Sequence, residues 1–251
     1  MRFCTKILIF ICLFSFSIQS AFATDVTCVD GGHWKYTKLE NELTEKVDTV
    51  IIYFHGSGNT GNTLRDLKSL MGEKAADGPT KYATTISYEW LPVGTIILCP
   101  QAHNDKDFHN SEDEVFWLIR EYSQKYPDAK IILAGHSNGA MMIFNLAYEY
   151  GTDIVDGWVF ISGKSSRGYE LPSDSTNIMV VSGTGEINAK IGLARREDFE
   201  NLFYSPLLSE TEETAWREED TNNAYIVGDW THGQTPRVFL EDFFWEWIKD
   251  V

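Results

Sequence analysis

The chain has 251 residues, of which 43% are hydrophobic, enough for one globular domain with a substantial core. Its formal net charge of −16 argues against a nucleic-acid partner, since phosphate binding needs a basic face. An acidic surface favours solubility and by itself identifies no substrate.

The N-terminus reads as an export signal rather than as part of the fold. Arg2 and Lys6 form a short basic start, an apolar run follows from Ile7 to about Ile18, and Ala21-Phe22-Ala23 supplies a small-x-small cleavage pattern. The run falls short of the roughly 20 residues that span a bilayer. Cleavage near Ala23, an exported (periplasmic or secreted) product and no stable membrane insertion are therefore expected, with a retained anchor as the alternative. The mature domain is then 24–251, a single unit, and its two cysteines are Cys28 and Cys99. An oxidising compartment favours a disulfide between them. Two separate thiols are the competing expectation, because Cys99 lies in an apolar run.

Short β-branched apolar runs then alternate with helical patterns. Strands are expected at Thr49 to His55, Thr95 to Gln101, Lys130 to Gly135, Gly157 to Ser162, Asn177 to Ser182 and Asn223 to Val227. Each run is nearly continuous in hydrophobicity, as in strands covered on both faces. Between them, Ser111 to Tyr126 reads as a helix capped by Ser111 and ended before Pro127. Gly139 to Tyr150 reads as a second helix, stopped at Gly151. Pro236 to Lys249 reads as a third, with Pro236 in its first turn and Phe239, Phe243, Phe244 and Trp247 along one side. This alternation predicts an α/β architecture: a mainly parallel sheet with helices on both faces and reactive groups at the carboxyl ends of its strands.

Four segments at those ends carry chemistry. Gly135-His136-Ser137-Asn138-Gly139 places G-x-S-x-G between a strand and a helix. A tight turn there holds a serine in a strained conformation, and small residues two positions either side make room for it. Ser137 is the candidate nucleophile. Tyr53-Phe54-His55-Gly56-Ser57-Gly58 is a glycine-containing loop suited to an oxyanion hole, with a backbone N–H of Ser57 or Gly58 joined by that of Asn138. Gly183-Thr184-Gly185-Glu186 offers an acid after a strand. Asp198 and Asp229 remain open for that role, while Asp174 precedes the strand. His232 lies between the last strand and the last helix. Of the other histidines, His33, His55, His103, His109 and His136, none satisfies the order Ser, acid, His along the chain. Trp230 and His55 are candidate pocket-lining residues, although the tryptophans, including Trp90, Trp117, Trp158, Trp216, Trp245 and Trp247, are expected to be mostly core.

Gly135-His136-Ser137-Asn138-Gly139 followed by Ala140-Met141-Met142 resembles the elbow of the secreted polyhydroxybutyrate depolymerase and feruloyl esterase group. Gly183-Thr184-Gly185-Glu186 is similar to that group's acid turn, with Glu186 standing where the group has Asp, and His55-Gly56 is similar to its oxyanion loop. The resemblance implies the α/β-hydrolase fold; the short segment from Lys164 to Asn177 departs from the group and leaves little room for a large lid domain, so none is expected. The resemblance also implies a carboxylic ester hydrolase with Ser137, His232 and Glu186 as a triad. No cofactor or metal is expected, the partner is a small-molecule or polymer ester, and a monomer is expected. A serine peptidase or amidase using the same triad, and a catalytically inactive secreted binding protein of the same fold, are the competing readings.

Overall fold

The computed structural model describes residues 24–87, 89–104, 107–108, 111–163, 171, 174–183, 215–217 and 220–251. Its strands are β1 (Thr24–Asp30), β2 (Lys35–Asn41), β3 (Thr49–Phe54), β4 (Thr95–Pro100), β5 (Lys130–His136), β6 (Gly157–Ile161), β7 (Ile178–Gly183), β8 (Ala215–Arg217) and β9 (Ala224–Gly228). They form one sheet in the order β1-β2-β4-β3-β5-β6-β7-β9-β8. From β4 to β9 the pairings are parallel, while β1, β2 and β8 add antiparallel pairings at the two edges. The α-helices are α1 (Pro79–Thr85), α2 (Glu112–Lys125), α3 (Asn138–Tyr150) and α4 (Asp242–Asp250).

The central strands are apolar without interruption because both of their faces are buried. Along β3, Val50, Ile52 and Phe54 join one core layer with Val115 and Leu118 of α2 and Ile143 and Phe144 of α3. The alternate residues Ile51 and Tyr53 join the opposite layer with Tyr82 of α1 and Phe244 and Trp247 of α4. A side chain on either face of a strand therefore meets a helix, which is what the unbroken runs in the sequence encode. Trp34, Trp90, Trp158, Trp245 and Trp247 are buried in these two layers, as expected for most tryptophans.

All six expected strands form, and α2 and α3 lie where their patterns place them. Several local expectations need correction. Ser111 does not cap α2: its backbone (φ −112°, ψ 16°) departs from the extended cap conformation, and its hydroxyl is buried without a capping bond. The expected helix from Pro236 to Lys249 is two segments. A 3₁₀ stretch spans His232–Leu240 with Pro236 inside it, Glu241 turns extended (φ −98°, ψ 132°), and α4 begins afterwards. Proline offers no N–H for an i→i−4 bond, so the tighter stretch ends before a true α-helix starts.

The Cys28–Cys99 disulfide does not form, and both thiols are free. Cys28 of β1 pairs in register with Thr37 of β2, and Thr37 pairs on its other side with Cys99 of β4. A whole strand separates the two cysteines, so their Cα atoms lie about two strand spacings, roughly 10 Å, apart. A disulfide requires less than about 7 Å. Cys99 is instead a buried thiol beside Thr37 and Thr80, and burial pushes its pKa up to about 12. In a thiol titration of folded protein, Cys28 should react at once and Cys99 only after unfolding, with the melting temperature unchanged by reductant. Two unreactive sulfurs that appear only on reduction would contradict this register.

Candidate active site

The carboxyl ends of β3, β4, β5 and β9 converge on one edge of the sheet. At the end of β5 the chain turns sharply into α3, with Ser137 at φ 52°, ψ −113°. A non-glycine residue at positive φ is strained by about 1–3 kcal/mol, so the surroundings must hold it there. Ser137 N–H donates to Ile161 O (2.9 Å), and Met141 N–H donates to Ser137 O (2.9 Å). The flanking glycines are required by contact. A Cβ on Gly135 would stand 2.5 Å from Gly139 C, and one on Gly139 would stand 2.2 Å from the Phe54 carbonyl oxygen. Gly163, which the sequence reading passed over, is equally confined: its Cβ would lie 2.7 Å from Ser137 O and from Ala140 Cβ. The Ser-Gly pair after β6 was the available signal. Gly139→Ala should cost about 3 kcal/mol, since the blocking atom is backbone and cannot swing away. Chemical denaturation checks this, and a variant of wild-type stability would refute the packing described.

His232 opens the 3₁₀ stretch after β9. Thr231 and Gln234 form a reciprocal capping box that sets where this stretch begins. The His232 carbonyl then accepts from His136 Nε2–H (2.9 Å) and from Thr235 Oγ1–H (2.9 Å). With its proton so directed, Thr235 Oγ1 accepts from the buried Ser162 hydroxyl at 2.7 Å. This pinned backbone brings His232 Nε2 to 3.0 Å from Ser137 Oγ. For the serine hydroxyl to donate there, Nε2 must be the unprotonated nitrogen of a neutral imidazole. His136 also lines the cavity, and its ring centroid stands 5.0 Å from that of His232.

Ser137 and His232 open onto a cavity of about 410 Å³ whose walls include Ser57, Ala76, Asp77 and His55. The Asp77 carboxylate is paired with Lys81 (2.7 Å) and Arg237 (3.2 Å), so two cations flank one anion on this wall. His55, expected as a substrate contact, reaches the cavity with both ring nitrogens committed to backbone. Nδ1–H donates to Gly56 O (2.6 Å), and Nε2 accepts Ala102 N–H (3.1 Å). It ties the loop after β3 to the loop after β4. Trp230, the other expected contact, does not line this cavity. Its indole lies against Gly228, where a Cβ would meet the ring at 2.3 Å, and it packs on the core layer with α4.

The oxyanion-loop candidates separate. Ser57 lines the cavity, whereas Gly58, at φ 95°, is exposed and is not part of its lining. The N–H of Asn138 belongs to the first turn of α3, whose amides have no acceptor within the helix. Glu186 lies outside the described residues, as does His109. The expected absence of a large lid rests on 164–177 and its surroundings, most of which also lie outside them. Asp107 was not singled out from sequence; its carboxylate Oδ2 accepts from Asn138 Nδ2–H at 2.9 Å.

Burial lowers the His55 pKa, so the folded protein holds this ring neutral. Its folded pKa lies below the unfolded value of about 6.5. The unfolded chain therefore binds the extra proton first on acidification. The contribution to stability is complete above pH about 6.5 and is lost as pH falls through that value toward the folded pKa. In His55→Asn, the fall in melting temperature between pH 7 and pH 5 should be shallower than in wild type. Parallel slopes would mean that His55 does not titrate as described.

No family model and no curated protein matches the sequence. Solved structures do resemble the fold. A mutant of the feruloyl esterase module from Clostridium thermocellum, complexed with sinapinate, superposes with a TM-score of 0.56 at 12% identity, over 88% of this chain and 87% of that one. A serine hydrolase without a lid from Xanthomonas campestris gives 0.52 at 12% identity, over 90% and 94%. A thermostable esterase also gives 0.52 at 12% identity; this chain matches over 92% of its length but spans only 63% of that protein. At such identities the likeness speaks to architecture alone. With the strand order, the elbow after β5 and the histidine after β9, it establishes that the chain has the α/β-hydrolase fold.

Proposed function

We propose that this chain is an exported serine hydrolase that cleaves carboxylic esters, related to the secreted polyhydroxybutyrate depolymerase and feruloyl esterase group. The observation that carries the reading is the 3.0 Å approach of His232 Nε2 to Ser137 Oγ, with Ser137 held at φ 52°. A serine kept at such cost, with its hydroxyl against an imidazole nitrogen, is an activated nucleophile. Glu186 follows β7, whose last residue Gly183 pairs with Gly228 just before the histidine loop, so chain order and strand register favour it as the third member. Export rests on the basic-apolar N-terminus with cleavage near Ala23.

In this reading Ser137 Oγ bonds to the ester carbonyl carbon while His232 Nε2 takes its proton. The carbonyl π pair moves onto oxygen, where the Asn138 N–H stabilises it. Collapse of the intermediate breaks the bond to the leaving oxygen, which takes the proton from His232 and departs as the alcohol. Water, deprotonated by the same imidazole, then attacks the acyl-enzyme and releases the acid and free Ser137. The carboxylate holds the imidazolium in orientation throughout.

A fluorophosphonate probe should label the wild type and not Ser137→Ala. Hydrolysis of p-nitrophenyl acetate, butyrate and octanoate should fall by about four to six orders of magnitude in that variant. A matched p-nitroanilide tests amide cleavage. A folded wild type that neither labels nor turns over any ester would overturn the hydrolase reading in favour of a binding protein of the same fold.

A further inference from the structure

Asn138 and Asp107 together fix the hydrogen-bonding role of a neighbouring hydroxyl. The Asp107 carboxylate only accepts, so the Asn138 amide must present its NH₂ group to it, at 2.9 Å. The same nitrogen lies 2.5 Å from Ser57 Oγ, and its second hydrogen is directed there. Ser57 Oγ is therefore an acceptor in this contact, and its own proton must be donated elsewhere. Among the described residues no acceptor takes that proton, and Ser57 lines the cavity that holds Ser137 and His232. The loop carrying it is in close contact with the elbow: a Cβ on Gly56 would lie 3.3 Å from Ser137 Cβ. Asp107 is itself held at φ 53°, and its second carboxylate oxygen is buried without a hydrogen-bond partner among the described residues. A buried carboxylate oxygen left without a partner is costly, and the Asn138 contact is what this side chain obtains in return.

We infer that the Ser57 hydroxyl is a side-chain donor of the oxyanion hole, oriented by Asn138, with Asp107 the positioning residue that fixes the amide. This assignment rests on the serine hydrolase reading above and extends it. Ser57 O–H donates a hydrogen bond to the carbonyl oxygen as that oxygen gains charge; no proton is transferred and no covalent bond to Ser57 forms. Asn138 thereby serves twice, through its backbone N–H and through the side chain that aims Ser57. A donor at this position acts mainly on the transition state, because the oxygen carries full charge only there.

The test uses full-length mature protein, p-nitrophenyl acetate, and an aryl trifluoromethyl ketone that forms a tetrahedral oxyanion on an activated serine. Ser57→Ala retains the backbone N–H of residue 57 and removes only the hydroxyl, in an exposed loop where the fold should tolerate it. Its kcat should fall about 10²–10³-fold, with KM changed less than about threefold and ketone affinity weakened in parallel with kcat. Ser57→Thr, which restores a hydroxyl, should recover most of the loss. Asp107→Asn keeps the shape and replaces an acceptor with an amide that also presents donors; it should lower kcat and ketone affinity together, leaving KM near wild type. Wild-type kcat in Ser57→Ala would overturn the inference while leaving the hydrolase reading intact. So would a loss shared equally by KM and kcat/KM with no change in ketone binding. A wild type that neither turns over ester nor binds the ketone would instead overturn the hydrolase reading on which the inference rests.

Discussion

The approach of α3 to the end of β3 is the contact on which the rest of the site depends. Gly139 sits so close to the Phe54 carbonyl that only a hydrogen can occupy its side-chain position. Gly135 and Gly163 close the same gap from β5 and from the loop after β6. With those three backbones touching, Ser137 has little room for any conformation except φ 52°, and its side chain stands above the sheet edge. The strain, about 1–3 kcal/mol, is offset by the core that the two layers bury around these strands. The first amides of α3 point to the same spot, so the close contact that strains the serine also aims hydrogen-bond donors at its substrate.

Much of the site is held by polar side chains bonding to backbone across loops. His55 links the β3 loop to the β4 loop, and His136 holds the His232 carbonyl, which Thr235 and Ser162 support from beneath. Two of the histidines near Ser137 are thus spent on geometry, and the third, His232, faces it. A site built from loops acquires in this way the rigidity that preorganised hydrogen-bond donors need, since a displacement of about 1 Å costs a large factor in rate.

Legibility in the sequence followed the physics of burial. The six doubly covered strands were readable because both faces need apolar residues, so composition alone marks them. Strands β1 and β2 were not. Thr24–Asp30 and Lys35–Asn41 are rich in polar residues, and β1 lies at an edge with little of its surface buried. The C-terminal segment kept one apolar side over its whole length, yet it divides at Glu241, because the local backbone around Pro236 outweighs a shared hydrophobic face. The disulfide expectation came from compartment chemistry, which says whether a bond survives and nothing about whether two sulfurs meet.

By itself the sequence determined the α/β alternation, the glycine-flanked Ser137 after β5 and the candidate base His232 after β9. Each of these is a local requirement: an apolar run, a missing Cβ, a residue at a strand end. Tertiary structure alone decided what the neighbours of those residues do. It inserted Thr37 between Cys28 and Cys99, turned Trp230 onto Gly228, committed both nitrogens of His55 to backbone and brought Asp107 to Asn138. Such outcomes depend on register and on contacts between segments distant in the chain. A residue's type limits the bonds it can make, and the packed fold selects which partner is within reach.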